Sequence, residues 1–353
     1  MDFVEGRDVV GLVTDNARGR ITEVRVAKRD GGGGPEQTAS ADLIVDATGR
    51  GSRTPIWLEQ LGYPRPEADR VEIGIGYATR CYRLRPGALG EDKGIFTAGT
   101  PKNPRMAYLF AQEGNRHILS VGGMLGNYPP LDPAEFEAFV ASACFPDVAE
   151  AIAGAEPLGE PVPFRFPTSV RYRYERLRRF PAGLLVIGDA VCSFNPIYGQ
   201  GMTVAAMQAV ALRDLLRGGS LPTARKYFRR IAKVIDIPWE IAVGADLAFP
   251  GVSGKRTAKV RMVNAYLPRL HAAAAVDSSL ARAFIRVMGM VDRPEGLLRP
   301  DRALRVLWAH MRGVPASATG PASGAGMSGP ARGFRSSRPA SNKEPADERR
   351  GRG

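Results

Sequence analysis

The sequence contains few cysteines and histidines, the residues that form disulfides and many transition-metal sites. Its 353 residues include three cysteines and three histidines. These six are scattered along the chain: Cys81, Cys144, Cys192, His117, His271 and His310. Because none of them stands at metal-ligand spacing, the sequence predicts no metal centre, and free buried thiols in a reducing compartment are expected.

Long apolar runs and targeting signals are also lacking. No run of about 18 apolar residues occurs, and the first residues do not read as a secretory signal peptide. At 44% hydrophobic and 24% charged residues, the composition is that of a globular protein. We therefore expect a cytoplasmic protein, with contact to a membrane surface as an open alternative.

The net charge of +13 does not by itself indicate a nucleic-acid partner. A nucleic-acid-binding protein would need a basic face with interleaved aromatic residues and a recognisable module. The sequence contains no such module, and its arginines and lysines are spread through predicted helices and the C-terminal tail. We expect no nucleic-acid partner.

One stretch, from Gly183 to Leu216, combines the features of a ligand-binding site. Leu184–Ile187 is a short apolar run, typical of a strand buried on both faces. A carboxylate, Asp189, follows at its carboxyl end, where open α/β sheets bind their ligands. The segment Gly199–Gly201 then opens a helix whose apolar residues, from Met202 onward, repeat at helical spacing. The free amides at that helix start favour negative charge.

A second stretch, ADLIVDATGRGSR, has the same organisation. Leu43, Ile44 and Val45 are predicted to form a buried strand. Small residues follow, ending in Gly49, and they would let the backbone approach a ligand or a neighbouring strand. A helix is expected next, with Pro55 tolerated in its first turn.

The remaining pattern divides the chain into strand-rich and helical parts. Val9–Thr14 and Ile21–Lys28 are predicted to form a hairpin, and Gly31–Gly34 an exposed loop. The predicted segments are residues 1–70 and 181–220 with the two strand-turn-helix motifs, a strand-rich part at 71–180, a helical region at 221–312, and a disordered tail at 313–353.

The motifs GDAVCSFNPIYGQGM and DATGR resemble those of FAD-dependent oxidoreductases with a glutathione-reductase-type FAD fold. The branch that they resemble most is that of the aromatic-hydroxylase and squalene-epoxidase-like monooxygenases. The resemblance implies that Asp189 binds the ribityl chain of FAD and that Pro196 lies beside the isoalloxazine ring. It also implies that the backbone of Gly201 and Met202 faces the flavin pyrimidine. The full set of residues that it places near the cofactor is Gly188, Asp189, Pro196, Gly199, Gln200, Gly201, Met202, Asp46, Gly49 and Arg50.

The same resemblance implies the fold and the reaction. The expected fold class is mixed α/β: an incomplete three-layer FAD/NAD(P)-binding domain in residues 1–70 and 181–220, an inserted β-sheet substrate domain in 71–180 and C-terminal helices in 221–312. NADPH or NADH would reduce FAD, and O₂ would supply one oxygen atom to a lipophilic or aromatic substrate. A reductase of the geranylgeranyl-reductase type and a non-catalytic remnant that binds substrate without flavin are the alternatives. No catalytic acid or base is assigned.

The family normally carries a G-x-G-x-x-G strand-turn-helix unit that binds the FAD pyrophosphate, and no such motif opens this sequence. A misassigned start, a truncated gene and a unit supplied by another polypeptide would each explain this. In every case a sheet strand and a helix N-terminus would be missing. We therefore expect weak or no FAD binding by residues 1–353 alone.

Two further groups of polar and aromatic residues are interpreted as structural. One group lies on the predicted sheet: Arg80, Tyr82, Tyr108 and Arg165. The other is a possible active-site trio on a predicted helix: Trp239, Glu240 and Asp246. Packing is favoured for the trio because aromatic residues at helical spacing usually face a core.

Overall fold

A computed structural model describes residues 2–15, 17, 19–29, 35–143 and 146–314. The loop Gly31–Gly34, Cys144 and all but the first two residues of the predicted tail lie outside the described residues. The described residues belong to one compact unit. The five predicted segments stay a prediction.

The strands and helices follow in chain order. The strands are β1 (Arg7–Thr14), β2 (Ile21–Lys28), β3 (Gln37–Ser40), β4 (Ile44–Asp46), β5 (Ala68–Arg83), β6 (Gly94–Thr97), β7 (Arg105–Gln112), β8 (Arg116–Gly123), β9 (Glu156–Pro157), β10 (Val162–Tyr172), β11 (Leu184–Val186) and β12 (Cys192–Ser193). The helices are α1 (Thr54–Gln60), α2 (Pro133–Ala143), α3 (Pro146–Ile152), α4 (Gly201–Leu216), α5 (Ala224–Asp246), α6 (Ala258–Ala274), α7 (Ser278–Met288) and α8 (Pro300–Met311). The predicted mixed α/β class is confirmed.

The strands form three sheets. β1, β2 and β3 make an antiparallel sheet, which confirms the predicted hairpin. A large antiparallel sheet has the order β12-β10-β5-β8-β7-β6, with β9 paired to β5. β4 and β11 form a parallel pair in which Leu184 lies opposite Ile44 and Val186 opposite Asp46. The strand-rich pattern between residues 71 and 121 is therefore one curved antiparallel sheet.

The long strand β5 contributes to two cores. In its first half, Val71, Ile73 and Ile75 join the core that includes β11 and α5. In its second half, Ala78 and Tyr82 join a separate core with α2 and α3. Alternation along a strand sends successive side chains to opposite faces, so the two ends of β5 can be covered by different elements.

The parallel pair is buried unevenly. Leu184, Leu185 and Val186 of β11 are at most 1% exposed, as the apolar run predicted. In β4, however, Val45 is 37% exposed, so the prediction of a buried strand is wrong at this position. The reason is that, in the described part of the chain, β4 pairs only with β11.

The C-terminal helices pack in two groups. α5 runs through Pro238 without interruption, and its Tyr227, Phe228, Ile231 and Ile235 are buried. Helices α6, α7 and α8 enclose a core of their own. No helix in the described residues is long and apolar enough to cross a bilayer.

Phe228 is a direct test of the core that supports the parallel pair. Its ring is 2% exposed and stacks on Tyr174 at 5.0 Å. Phe228→Ala should lower the free energy of unfolding by about 3–5 kcal/mol, through lost burial and the cavity left behind. The matched change Phe96→Ala, at a ring that is 55% exposed, should cost under about 1 kcal/mol. Urea unfolding followed by fluorescence would measure both, and equal losses would contradict this packing.

Candidate cofactor site

The parallel pairing of β4 and β11 brings the two sequence motifs together. Both strands end at the same edge, and the backbone amide of Ile187 donates to the carbonyl of Asp46 at 2.9 Å. A 3-10 turn follows each strand, at Gly49–Gly51 and at Gly188–Ala190. Loops that begin side by side at one sheet edge form the crevice where ligands of α/β folds bind.

Asp46 fixes the first of these loops. Its side chain is 7% exposed, and one oxygen accepts from the amide and hydroxyl of Thr48, at 2.9 and 2.6 Å. The other oxygen accepts from the hydroxyls of Ser52 and Thr54, both at 2.5 Å. Four hydrogen bonds to one carboxylate are typical of a strand-to-helix turn that a carboxylate stabilises. Asp46 therefore shapes the loop, and its proximity to a cofactor stays a prediction.

Asp189 is placed differently although it also follows a parallel strand. Its side chain is exposed, and in the described structure its carboxyl accepts no hydrogen bond from the protein. The surrounding protein partly desolvates the carboxyl and raises its pKa, while the positive charge of Arg50 opposes that rise. Asp189 is thus a carboxyl that is open to a ligand, with a cation from the other motif beside it.

Glycine geometry supports the turn at the end of β11. Gly188 has φ of +67°, a conformation that disfavours any side chain. Its amide donates to the buried Gln208 side chain of α4 at 3.0 Å. This bond attaches the turn to the helix that follows, so Asp189 and the start of α4 are held in one unit.

The loop between β12 and α4 ends beside Asp189. Asn195 accepts from the amide of Ile197 at 3.1 Å and caps the 3-10 turn Pro196–Tyr198, and Gly199 is left-handed with φ of +66°. Helix α4 then begins at Gly201, as predicted. A Cβ placed on Gly201 would lie 4.0 Å from Oδ1 of Asp189.

The start of α4 can stabilise negative charge. The first intrahelical bond runs from the amide of Val204 to the carbonyl of Gln200, at 3.0 Å. The amides of Gly201, Met202 and Thr203 therefore have no acceptor within the helix. Met202 is 88% exposed, so this end of the helix faces open space. Free amides and the positive end of the helix dipole together favour an anionic group there.

A buried carboxyl lies behind the loop. Asp246, the last residue of α5, is fully buried and accepts from the Asn195 amide and the Tyr198 hydroxyl through Oδ1, each at 2.8 Å. Its Oδ2 has no partner in the described structure. Burial raises the pKa of Asp246 to about 6, and the two donors oppose that rise.

Sequence reasoning grouped Asp246 with Trp239 and Glu240, and the structure separates them. Trp239 is 7% exposed and packs in the core, as favoured. Glu240 is exposed and pairs with Lys259 at 2.7 Å. Asp246 alone reaches the predicted cofactor loop. In the sequence, the only signal is that Asp246 stands in the less charged C-terminal part of this helix.

Gln200 is a further predicted site residue that lies inside the protein. It is 2% exposed, and its Nε2 donates to the carbonyl of Met288 at the end of α7, at 3.2 Å. Its Oε1 is buried without a partner in the described structure. Gln200 therefore attaches the loop to the C-terminal helices rather than facing the open crevice.

An aromatic surface of the large sheet adjoins the site through Arg50. The guanidinium of Arg50 lies over the rings of Phe164 and Phe166, 5.1 and 4.9 Å from their centroids. Phe164 stacks on Tyr77 at 5.0 Å, across the β5–β10 pairing. Tyr108 shares this face, because it lies opposite Ser120, which pairs with Thr79. Arg50 thus joins the cofactor motif to this sheet.

The other polar residues predicted on the sheet have structural partners. Arg80 is 6% exposed and donates to the carbonyl of Gly159 at 2.8 Å. Tyr82 is 1% exposed in the second core, and Arg165 lies over the ring of Tyr128. These contacts support the structural interpretation of Arg80, Tyr82 and Arg165, which stays a prediction. Tyr108 differs from these residues, because it lies on the same face of the sheet as Tyr77, the face that adjoins the candidate site.

The buried state of Asp246 predicts how stability depends on pH. A carboxyl whose pKa rises from an ordinary 3.8 to about 6 binds more protons in the folded than in the unfolded chain between these values. Stability should therefore fall as pH rises from about 4 to 6, by up to about 3 kcal/mol from this group. Asp246→Asn should lack this loss, whereas Glu240→Gln should keep it.

Urea unfolding of both variants and the wild type at pH 4, 5, 6 and 7 would measure this difference. Identical profiles for Asp246→Asn and the wild type would show that Asp246 titrates normally.

The chain is similar to two proteins of known sequence and to a solved flavoprotein. It is 34% identical to protein Rv3254 of Mycobacterium tuberculosis over 264 residues, which make up 73% of this chain and 55% of that protein. It is 31% identical to the squalene epoxidase of Aspergillus fumigatus over 122 residues, 33% of this chain and 22% of that enzyme. The chain therefore spans about half the length of the first relative, and its match to the second covers a smaller share of that protein's length. It matches no protein-family model.

The solved structure is a flavoprotein/dehydrogenase from Cytophaga hutchinsonii. It superimposes with a TM-score of 0.56 at 14% identity, over 86% of this chain and 68% of that one. This likeness concerns the fold, and it agrees with the two motifs that meet at the edge of the parallel pair. At this identity the likeness shows a shared fold: the described chain has the fold of this flavoprotein/dehydrogenase.

Proposed function

We propose that the protein is an FAD-dependent oxidoreductase that uses NADPH or NADH and O₂ to oxygenate a lipophilic substrate. The observation that carries this proposal is the meeting of Asp189, Arg50 and the open start of α4 beside an aromatic sheet face. The two relatives are longer than the matched region, so the activity is proposed for the whole protein.

The residues present fit a flavin. A Cβ placed on Gly49, Gly51 or Gly199 would meet no atom within 4 Å, so the three glycines border open space. Asp189 borders the same region with a carboxyl that no protein donor occupies. A flat cofactor with hydroxyl groups on its chain needs this combination of close backbone approach and a free acceptor.

Each residue of the site has a distinct task in this proposal. Asp189 accepts hydrogen bonds from the ribityl hydroxyls, and Pro196 contacts the flat ring. The amides of Gly201 and Met202 stabilise negative charge on the flavin pyrimidine, as preorganised dipoles do. Gly49 lies near the ADP half. FAD itself, when bound, supplies hydride acceptance from NAD(P)H and the activation of O₂.

The sheet face beside Arg50 supports a lipophilic substrate. Phe164, Phe96 and Val162 on this sheet are 38%, 55% and 65% exposed. Phe96 packs on Tyr108, with ring centroids 4.7 Å apart. Exposed apolar side chains that cluster next to a cofactor site are typical of a wall that excludes water from an apolar ligand.

A further segment is needed to complete the FAD site in this proposal. On α4, Met207 and Val210 are 37% and 45% exposed, and Val45 of β4 is 37% exposed. A glycine-rich strand-turn-helix unit packed there would cover them and supply the amides for the pyrophosphate. FAD binding by residues 1–353 alone is accordingly expected to be weak.

Asp189 is the residue whose loss should weaken flavin binding most. Asp189→Ala removes the free acceptor and should raise the FAD dissociation constant about 10- to 100-fold. Asp214→Ala, at the far end of α4 where Asp214 pairs with Arg213, should leave the constant unchanged. Fluorescence titration with FAD, of this chain and of an N-terminally extended one, would measure both. Equal affinity of wild type and Asp189→Ala would contradict the assigned site.

Oxygen consumption separates the proposed monooxygenase from a prenyl reductase. With a lipophilic acceptor substrate, the flavin-loaded protein should consume one O₂ for each NAD(P)H oxidised and place one oxygen atom in the product. An oxygen electrode and mass spectrometry with ¹⁸O₂ would measure this. A saturated product formed without labelled oxygen would identify a reductase instead. Substrate binding without flavin binding in either chain would favour the non-catalytic alternative.

A further inference from the structure

The loop that would contact the flavin ring depends on a buried carboxyl 51 residues further along the chain. Two polar side chains of the loop that point into the protein, Asn195 and Tyr198, donate to the same oxygen of Asp246, each at 2.8 Å. A third, Gln200, donates to the carbonyl of Met288 instead. Pro196 lies between Asn195 and Tyr198 in the chain and is exposed. The position of Pro196 is thus fixed from behind by Asp246.

The hydrogen-bond partners of Asp246 are neutral, so the charge of Asp246 itself determines how strong these hydrogen bonds are. Besides Asn195 and Tyr198, α6 contributes the amide of Asn264, which binds the carbonyl of Gly244 rather than the carboxyl. Of the two cations that follow in the chain, Lys255 is exposed, and Arg256 donates to the backbone carbonyls of Leu247, Phe249 and Val252. In the described structure, no cation pairs with the Asp246 carboxyl.

Charge on Asp246 changes how strongly it holds the loop. An ionised carboxylate forms charge-assisted hydrogen bonds, which are about twice as strong as neutral ones. A protonated carboxyl keeps only neutral bonds to the two donors. Because burial raises its pKa to about 6, Asp246 changes charge within the range of ordinary solution conditions. Tyr198 cannot compensate, since burial and Asp246 raise the pKa of its hydroxyl well above the ordinary value.

We propose that Asp246 is a positioning residue that holds the cofactor loop 195–200 in place when ionised and loosens it when protonated. The link to flavin rests on the function proposed above, whereas the effect on the loop does not. In this arrangement, flavin affinity falls in mild acid although no residue in contact with flavin needs to change. A second carboxyl, Asp189, faces the same crevice, so the comparison below keeps it intact in every variant.

Hydrogen exchange of the loop tests the proposal without any flavin. In the full chain at pH 7.5, Asp246→Asn should speed amide exchange of residues 197–199 about tenfold, after correction for intrinsic rates. Glu240→Gln removes an exposed carboxylate from the same helix and should leave this exchange unchanged. Wild-type exchange should approach that of Asp246→Asn as pH falls from 7.5 to 5, and the variant should show no such transition.

A second measurement, FAD affinity at pH 7.5 and 5, tests the link to the cofactor. The affinity should fall about tenfold more in the wild type than in Asp246→Asn, since Asp189 is common to both. A pH-dependent loop in a protein that binds no FAD at either pH, in this chain or in the N-terminally extended one, would sustain the positioning role and contradict the proposed function. Identical exchange profiles in the wild type and Asp246→Asn would overturn the proposal, as would an equal effect of Glu240→Gln.

Discussion

The parallel pairing of β4 with β11 is the constraint on which the site depends. The two strands are separated by about 140 residues of sequence, yet Asp46 lies directly opposite Val186. Only this register places the turn after Asp46 beside the turn that carries Asp189. The large sheet and the helices then have a simple role, because they close over β11 and hold its carboxyl end at the surface.

The two carboxylates that follow the parallel strands illustrate how environment sets role. Asp46 is surrounded by four donors and holds its own loop together. Asp189 has a similar position in the sequence pattern but no protein donor, and Arg50 is its charged neighbour. A satisfied carboxylate stabilises a loop, whereas an unsatisfied one at a crevice is available to a ligand. The same strand-turn signal therefore leads to a carboxylate that holds its own loop in one motif and to a carboxyl without a protein donor in the other.

Sequence patterns predicted the structural features that depend on residues close together in the chain. The apolar run of β11, the start of α4 at Gly201 and the β1–β2 hairpin all follow from local periodicity and turn residues. Long-range contacts escaped prediction. Nothing within a few residues of Asp246 shows that it meets Tyr198, and the exposure of Val45 depends on which strands pair beside β4. Sequence alone also could not show that Gln200 points inward, toward α7.

The most direct test of the central claim is the position of bound flavin in a crystal structure of the flavin complex. The assigned site requires the isoalloxazine ring beside Pro196 and the start of α4, with the ribityl chain at Asp189. The ADP half would extend toward Gly49 and Arg50. Flavin bound at another edge of the fold, away from the carboxyl ends of β4 and β11, would contradict the assignment of this site.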